Sequence, residues 1–167
     1  MKNTLITLCE RGVAILAYIF PFVEISSCFA VKVFLNADSK ALKFFYVNYV
    51  AKLTNFYIEN VYLVFALMIG IFIICSRGTI PVTKFVRFNI IQAILKNIIC
   101  SCISAVFPLI PIALRESVIG LLLANSLYLG IIILMLYSSL LISFGRYPRI
   151  PVLSEAARLQ VQRGYSD

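Results

Sequence analysis

Long apolar segments constrain this chain most strongly. A helix needs roughly 20 apolar residues to cross the hydrocarbon core of a bilayer. Four segments meet that length, at about 12–35, 53–76, 86–107 and 117–144. Composition agrees, because 62% of the residues are hydrophobic and only 13% are charged, whereas a soluble domain is about a quarter charged. The sequence predicts an all-α integral membrane protein, a bundle of four transmembrane helices forming a single domain over 1–167.

The charges predict an orientation for this bundle. Four spans place both termini on one side, and basic residues concentrate on the cytoplasm-like side of membrane proteins. The terminal side holds nine basic residues, and the other side five. The first set is Lys2, Arg11, Arg77, Lys84, Arg87, Arg146, Arg149, Arg158 and Arg163; the second is Lys32, Lys40, Lys43, Lys52 and Arg115. We therefore expect both termini on the cytoplasm-like side, and membrane topology explains the net charge of +8 better than nucleic-acid binding does.

Two short amphipathic segments flank the predicted spans. The segment 40–52, KALKFFYVNYVAK, places aromatic residues between lysines and is typical either of a helix in the membrane interface or of an ordinary loop. The tail 148–167 offers Ser154 as the N-cap of a short helix on the terminal side. This tail, with Ser154, Glu155 and Gln160, is a candidate surface for headgroups or for a partner.

The third span carries unusual polarity. Asn89, Gln92 and Lys96 share one helix face, while Arg87 lies near the membrane edge, where its side chain can reach lipid headgroups. Three interpretations stay open for this polar stripe. Its side chains hydrogen-bond neighbouring helices, line a hydrated seam that a partner or passenger chain contacts, or bind a headgroup.

Two acids lie within predicted spans. Pro21 predicts a kink or break in the first helix, and Glu24 follows it. Glu24 is then either an intramembrane functional carboxylate or, if the helix has ended, a residue of the far interface. Glu59 is expected to form a structural ion pair with Lys96 or Lys52, in preference to a proton relay.

Nothing in the sequence indicates catalysis. The chain has no histidine, and it lacks a nucleophile motif, a glycine-rich phosphate loop and a metal-ligand cluster. We predict a protein that is not an enzyme and that has no cofactor and no metal site.

Three motifs together resemble a known family. The central stretch IPVTKFVRFNIIQAILKNI resembles the signature of the twenty-kilodalton membrane subunit of the translocon at the inner envelope of chloroplasts, with its cyanobacterial and plastid-encoded relatives. The matching positions are Pro81, Phe85, Arg87, Phe88, Asn89, Gln92 and Ala93. The first span resembles the family at Tyr18, Pro21 and Glu24, and the tail at Ile150, Pro151, Ser154, Glu155, Ala156, Ala157 and Gln160.

The resemblance also has departures. Lys96 and Asn97 stand where the family often has an acid, and ISSCFAVKVF replaces a stretch rich in proline and glycine. The lack of a transit peptide suits a plastid-encoded or cyanobacterial member.

The resemblance implies a multi-pass subunit of the plastid inner envelope import machinery, with both termini in the stroma. Its expected partners are other translocon subunits, lipids and a translocating preprotein, and no nucleic acid. Location in a cyanobacterial or thylakoid membrane is the alternative. A structural or assembly subunit of another large membrane complex, such as a photosynthetic one, is the competing function, and a small transporter comes third.

Overall fold

The computed structural model describes residues 2–35, 38–77 and 82–163, and these residues form helices and connecting turns without a strand. The helices are α1 (Lys2–Leu16), α2 (Ile19–Leu35), α3 (Lys40–Phe45), α4 (Ala51–Glu59), α5 (Val61–Arg77), α6 (Lys84–Val106), α7 (Ile112–Arg115), α8 (Val118–Ser143) and α9 (Leu153–Arg163). A π-helical turn, Tyr46–Val50, joins α3 to α4. The predicted all-helical class is confirmed for the described residues.

The first predicted span is interrupted where the sequence indicated. Pro21 has no N–H to donate to the carbonyl of Ala17, and its ring crowds that carbonyl. The helix accordingly breaks between Leu16 and Ile19, and α2 then continues to Leu35. The two helices together provide one apolar stretch, Thr7–Leu35, that is long enough to cross a membrane.

The second predicted span differs from expectation. The helical chain Lys40–Glu59 and the helix Val61–Arg77 meet at an angle of 83°. Asn60 leaves helical geometry, with φ −116° and ψ 25°, and its amide group donates to the carbonyl of Phe56. An asparagine side chain that bonds nearby backbone competes with helix continuation, so the break is local chemistry that hydropathy does not reveal.

Helices α6 and α8 cover the third and fourth predicted segments. Helix α6 ends at Val106 before Pro108 and Pro111, and the hydroxyl of Ser117 caps α8 by accepting from the N–H of Gly120. The described residues thus hold three helices that could cross a membrane, or four if the bent pair counts as one span. The exact four-helix bundle stays a prediction.

The core forms where α1, α2, α6 and α8 meet. Phe29 of α2 packs against Phe107 with ring centroids 4.7 Å apart, and the core cluster includes Ala93 of α6 and Met135 of α8. A second cluster joins α5, α6 and α9 through Cys75, Phe88, Ile91, Ala157 and Val161. The outward faces of α5 and α8 expose large apolar side chains, as expected of helices that meet lipid.

Side-chain contacts join helices at both ends of this bundle. At one end, which we call the terminal end, Arg11 of α1 donates to the carbonyl of Ser143 at the end of α8 across 2.9 Å. At the opposite end, Lys32 of α2 forms an ion pair with Glu116, ahead of α8, across 2.7 Å.

Candidate functional site

The polar stripe of α6 is buried inside the chain. Asn89 and Gln92 have no exposed surface, and Lys96 is 6% exposed. Their neighbours are Tyr18 at the helix break, Ser138 of α8 and Ser154 of α9. We call these six residues the polar seam. The described contacts are hydrogen bonds between the stripe and neighbouring helices. Contact of the stripe with a partner or a passenger chain stays a prediction.

Gln92 connects three parts of the fold. Its side-chain carbonyl accepts a hydrogen bond from the hydroxyl of Tyr18 across 3.0 Å. Its NH₂ group donates to the hydroxyl of Ser154 across 2.9 Å and lies 3.3 Å from the carbonyl of Pro148. A buried amide that satisfies its donors and acceptor in this way fixes the relative positions of α2, α6 and the tail.

Lys96 is the unusual member of the seam. Its ammonium donates to the hydroxyl of Ser138 across 2.5 Å and lies 4.3 Å from the ring centroid of Tyr18. Such placement over an aromatic face stabilises a cation. The ion pairs among the described residues join Lys32 and Arg115 to Glu116, and Lys96 is in neither. A charged residue held within a span by neutral groups is a marker of functional sites in membrane proteins.

Two asparagines of α6, Asn89 in the seam and Asn97 next to Lys96 in sequence, have unused hydrogen-bonding capacity. Asn89 donates from its NH₂ group to the carbonyl of Phe85. The side-chain oxygens of Asn89 and Asn97 are buried, and neither has a hydrogen-bond partner among the described residues. An unpartnered buried acceptor costs about 1–3 kcal/mol.

Arg87 is held by the end of a neighbouring helix, and its contact with lipid headgroups stays a prediction. It is 2% exposed, and its guanidinium donates to the carbonyls of Cys75 across 2.7 Å and Ser76 across 3.1 Å. The last carbonyls of a helix lack partners within that helix, and α5 ends at Arg77. Arg87 therefore caps the C-terminal end of α5.

The two acids have different surroundings. Helix α2 continues through Glu24 to Leu35, so the helix end that the interfacial alternative required is absent. Glu24 is buried, and its carboxyl group accepts from the hydroxyl of Tyr57. Nearby on α2, the hydroxyl of Ser26 lies 3.3 Å from that of Tyr128 on α8. Glu59 is exposed at the end of α4 and forms no ion pair with any described residue. The expected pairing of Glu59 with Lys96 or Lys52 is therefore wrong.

The tail packs on the bundle of its own chain. Helix α9 begins at Leu153, so Ser154 lies in its first turn; its hydroxyl accepts from the N–H of Ile150 across 2.6 Å and donates to the carbonyl of Pro148. Gln160 accepts from the hydroxyl of Ser76, whereas Glu155 is exposed. Binding of a partner by this tail stays a prediction, and Glu155 is its candidate residue with a free surface.

Sequence reasoning missed several residues of these polar contacts. Ser138 and Tyr128 lie in an apolar helix. Tyr57 lies in the segment that was predicted to form one straight span with the helix after it. Pro81 of the central motif lies outside the described residues. A signal for Ser138 was available, since the pair Ser138–Ser139 interrupts an otherwise apolar run.

Comparison with known proteins extends these observations. Residues 8–157 match the family model described as chloroplast import apparatus Tic20-like. The chain is 30% identical over 154 residues to the Tic20 family protein Ycf60 of Cyanidium caldarium, covering 92% of this chain and 74% of that protein. It is 27% identical over 154 residues to a Tic20 family protein of Synechocystis, covering 92% and 93%. It is also 40% identical over 91 residues to Ycf60 of Pyropia yezoensis, covering 54% and 44%.

No solved structure matches this chain. The family model spans the helix break, the polar seam and the first turns of α9. The relatives of this chain include Tic20 family proteins of the Ycf60 type and a cyanobacterial protein. The chain therefore belongs to the Tic20 family.

Proposed function

We propose that this protein is a membrane-embedded subunit of the protein import translocon of the plastid inner envelope, with both termini facing the stroma. The observation that carries the proposal is the family match over residues 8–157, whose description names the chloroplast import apparatus. The positive charge of the terminal end agrees with the proposed orientation.

The polar seam supports a specific part in that machinery. Its hydrogen bonds join α2, α6, α8 and α9 within one chain. A bundle of closely packed helices has a filled core, so one copy in this arrangement acts as a scaffold. Lining of a polypeptide conduit requires α6 and α8 to separate or further subunits to contribute walls, and Lys96 and the unpartnered oxygens of Asn89 and Asn97 would then face water or the passenger.

Two adjacent positions on α8 allow a matched test. Met135 is 6% exposed and Leu136 is 58% exposed. Diazirine analogues of methionine and leucine would replace these residues with little change of shape. Photo-crosslinking would be performed in intact envelope membranes, with and without an import substrate arrested during translocation.

Each outcome of this experiment has a defined meaning. Adducts from position 136 to translocon subunits support the scaffold role, and an adduct from position 135 that requires the arrested substrate supports channel lining. Adducts from position 136 exclusively to subunits of a photosynthetic complex would overturn the proposal in favour of an assembly role there.

A further inference from the structure

A basic cleft lies at the terminal end of the bundle. We define it by Arg146, Tyr147, Arg149 and Arg158, together with Tyr137 and Leu141 of α8. It has a volume of about 630 Å³. A smaller cavity lined by Lys84, Phe88, Tyr147 and Arg158 adjoins it. None of the described residues that line these two cavities is acidic.

The local fold directs the arginines into this cleft. Gly145, with φ +71°, ends α8 in the left-handed conformation, which glycine adopts without steric cost. The chain that follows has Pro148 and Ile150 buried, while Arg146 and Arg149 are exposed. Arg158 reaches the same cleft from the second turn of α9, whose Ala157 is fixed in the core.

These three guanidinium groups form a concentrated positive site. Arg146, Arg149 and Arg158 are exposed and take part in no ion pair with a described residue. Glu155, the acid nearest in sequence, does not line the basic cleft; it lines an adjoining cavity that shares Arg149, Ser154 and Arg158 with the cleft. Clustered guanidinium groups bind phosphate and similar anions with several donors at once.

The walls of the cleft show what kind of anion fits. Tyr137 and Leu141 belong to α8, a helix apolar enough to cross a membrane. Beside them, Leu140 and Phe144 expose 60% and 73% of their surface. The cleft is therefore lined partly by arginines and partly by residues of an apolar helix whose neighbouring side chains are exposed. A ligand that matches both parts has a negative headgroup attached to aliphatic chains.

We propose that the basic cleft binds the headgroup of an anionic membrane lipid, whose acyl chains lie along α8. This site is distinct from Arg87, which caps α5, and it does not depend on the proposed function. A bound lipid would hold α9 and the end of α8 together, because Arg158 and Arg146 belong to these two parts.

The test uses the purified full chain in detergent. Binding of phosphatidylglycerol and of phosphatidylcholine would be measured by native mass spectrometry for the protein and for the variant Arg146→Gln/Arg149→Gln/Arg158→Gln. The matched control is Lys40→Gln/Lys43→Gln/Lys52→Gln, which removes three exposed cations outside the cleft. Thermal unfolding without added lipid would check folding, and the single variants Arg149→Gln and Arg158→Gln would replace a triple variant that fails to fold.

We expect phosphatidylglycerol to bind at least fivefold more tightly than phosphatidylcholine. The arginine variant should lose roughly tenfold or more in affinity for phosphatidylglycerol, since each basic residue near a membrane surface contributes roughly fivefold, and the lysine variant should lose less than threefold. Equal binding of the two lipids, or equal losses in the two variants, would overturn the proposal.

Two competitors separate the lipid from other anions. The chain-free headgroup glycerophosphoglycerol should not displace phosphatidylglycerol at equal concentration, because it lacks the part that contacts α8. A polyglutamate peptide should not displace it either. Displacement by the free headgroup would make the cleft a site for small phosphates, and displacement by the peptide would make it a site for an acidic segment of a protein; both results contradict the lipid proposal.

Discussion

The hydroxyl of Tyr18 donates a hydrogen bond to the side-chain carbonyl of Gln92 across 3.0 Å, within a buried part of the chain. This contact ties the break that Pro21 creates in the first span to the centre of α6. The same amide holds Ser154 of α9. One residue thus connects the break in the first span and the C-terminal helix α9 to α6.

Replacement of Gln92 should therefore weaken the whole bundle. In Gln92→Leu, the hydroxyl of Tyr18 loses its acceptor while Tyr18 stays buried, and the partly buried Ser154 loses a donor. We expect a loss of about 1–3 kcal/mol in the free energy of unfolding, measured by thermal or denaturant unfolding in detergent. Gln162→Leu, at an exposed position of α9, is the control and should change stability by less than about 0.5 kcal/mol. Equal effects of the two substitutions would contradict this account.

Arg87 should stabilise the end of α5. In Arg87→Gln, the carbonyls of Cys75 and Ser76 lose a charged donor, and we expect a loss of roughly 2–4 kcal/mol. Amide hydrogen exchange should accelerate in the last turn of α5 and in α9, which packs against it. The exposed Arg77→Gln should leave both regions protected. Unchanged exchange in Arg87→Gln would show that the cap is not needed.

The hydroxyl of Tyr57 should stabilise the buried carboxyl group of Glu24. Tyr57→Phe removes this donor and leaves the carboxyl group inside the bundle, so we expect a loss of roughly 1.5–3 kcal/mol. Tyr62→Phe removes the same hydroxyl from a side chain that is 89% exposed and should have almost no effect. If the contact between α2 and α4 stabilises the fold, Tyr57→Phe should lower the unfolding midpoint and Tyr62→Phe should not.

Gly120 is required by the close approach of α7 to α8. A Cβ at this position would lie 2.3 Å from the carbonyl oxygen of Leu114 and 2.5 Å from that of Arg115. Because backbone must shift to accept it, Gly120→Ala should cost about 1–3 kcal/mol. Gly130→Ala, on the same helix with nothing within 4 Å of its Cβ, should be neutral or stabilising by up to about 1 kcal/mol. A neutral Gly120→Ala would exclude this packing.

The ion pair at the opposite end should depend on pH. The hydrogen bond from Lys32 and its positive charge lower the pKa of Glu116. A carboxyl group whose pKa is lower in the folded protein stabilises the fold above its unfolded pKa, and this contribution is lost as pH falls through the folded pKa. A titration of Glu116 followed by NMR should show the lowered pKa, and Lys32→Gln should raise it toward the ordinary value. An identical pKa in the variant would exclude Lys32 as the cause.

Much of this protein is determined by sequence alone. Helix class and the bounds of α6 and α8 follow from apolar length and from Pro108, Pro111 and Ser117, because these are local properties of the chain. The break after Leu16 follows from Pro21 for the same reason. The motif around Gln92, together with those of the first span and the tail, indicated the family.

Tertiary structure alone decided the partners of the polar residues. Arg87 caps α5, Glu24 accepts from Tyr57, and Glu59, which was expected in an ion pair, is exposed. In each case the outcome depends on which helix end, hydroxyl or solvent lies opposite the side chain. Helix periodicity predicts which face of a helix a residue occupies. The packing of α2, α6, α8 and α9 decides which residues that face contacts.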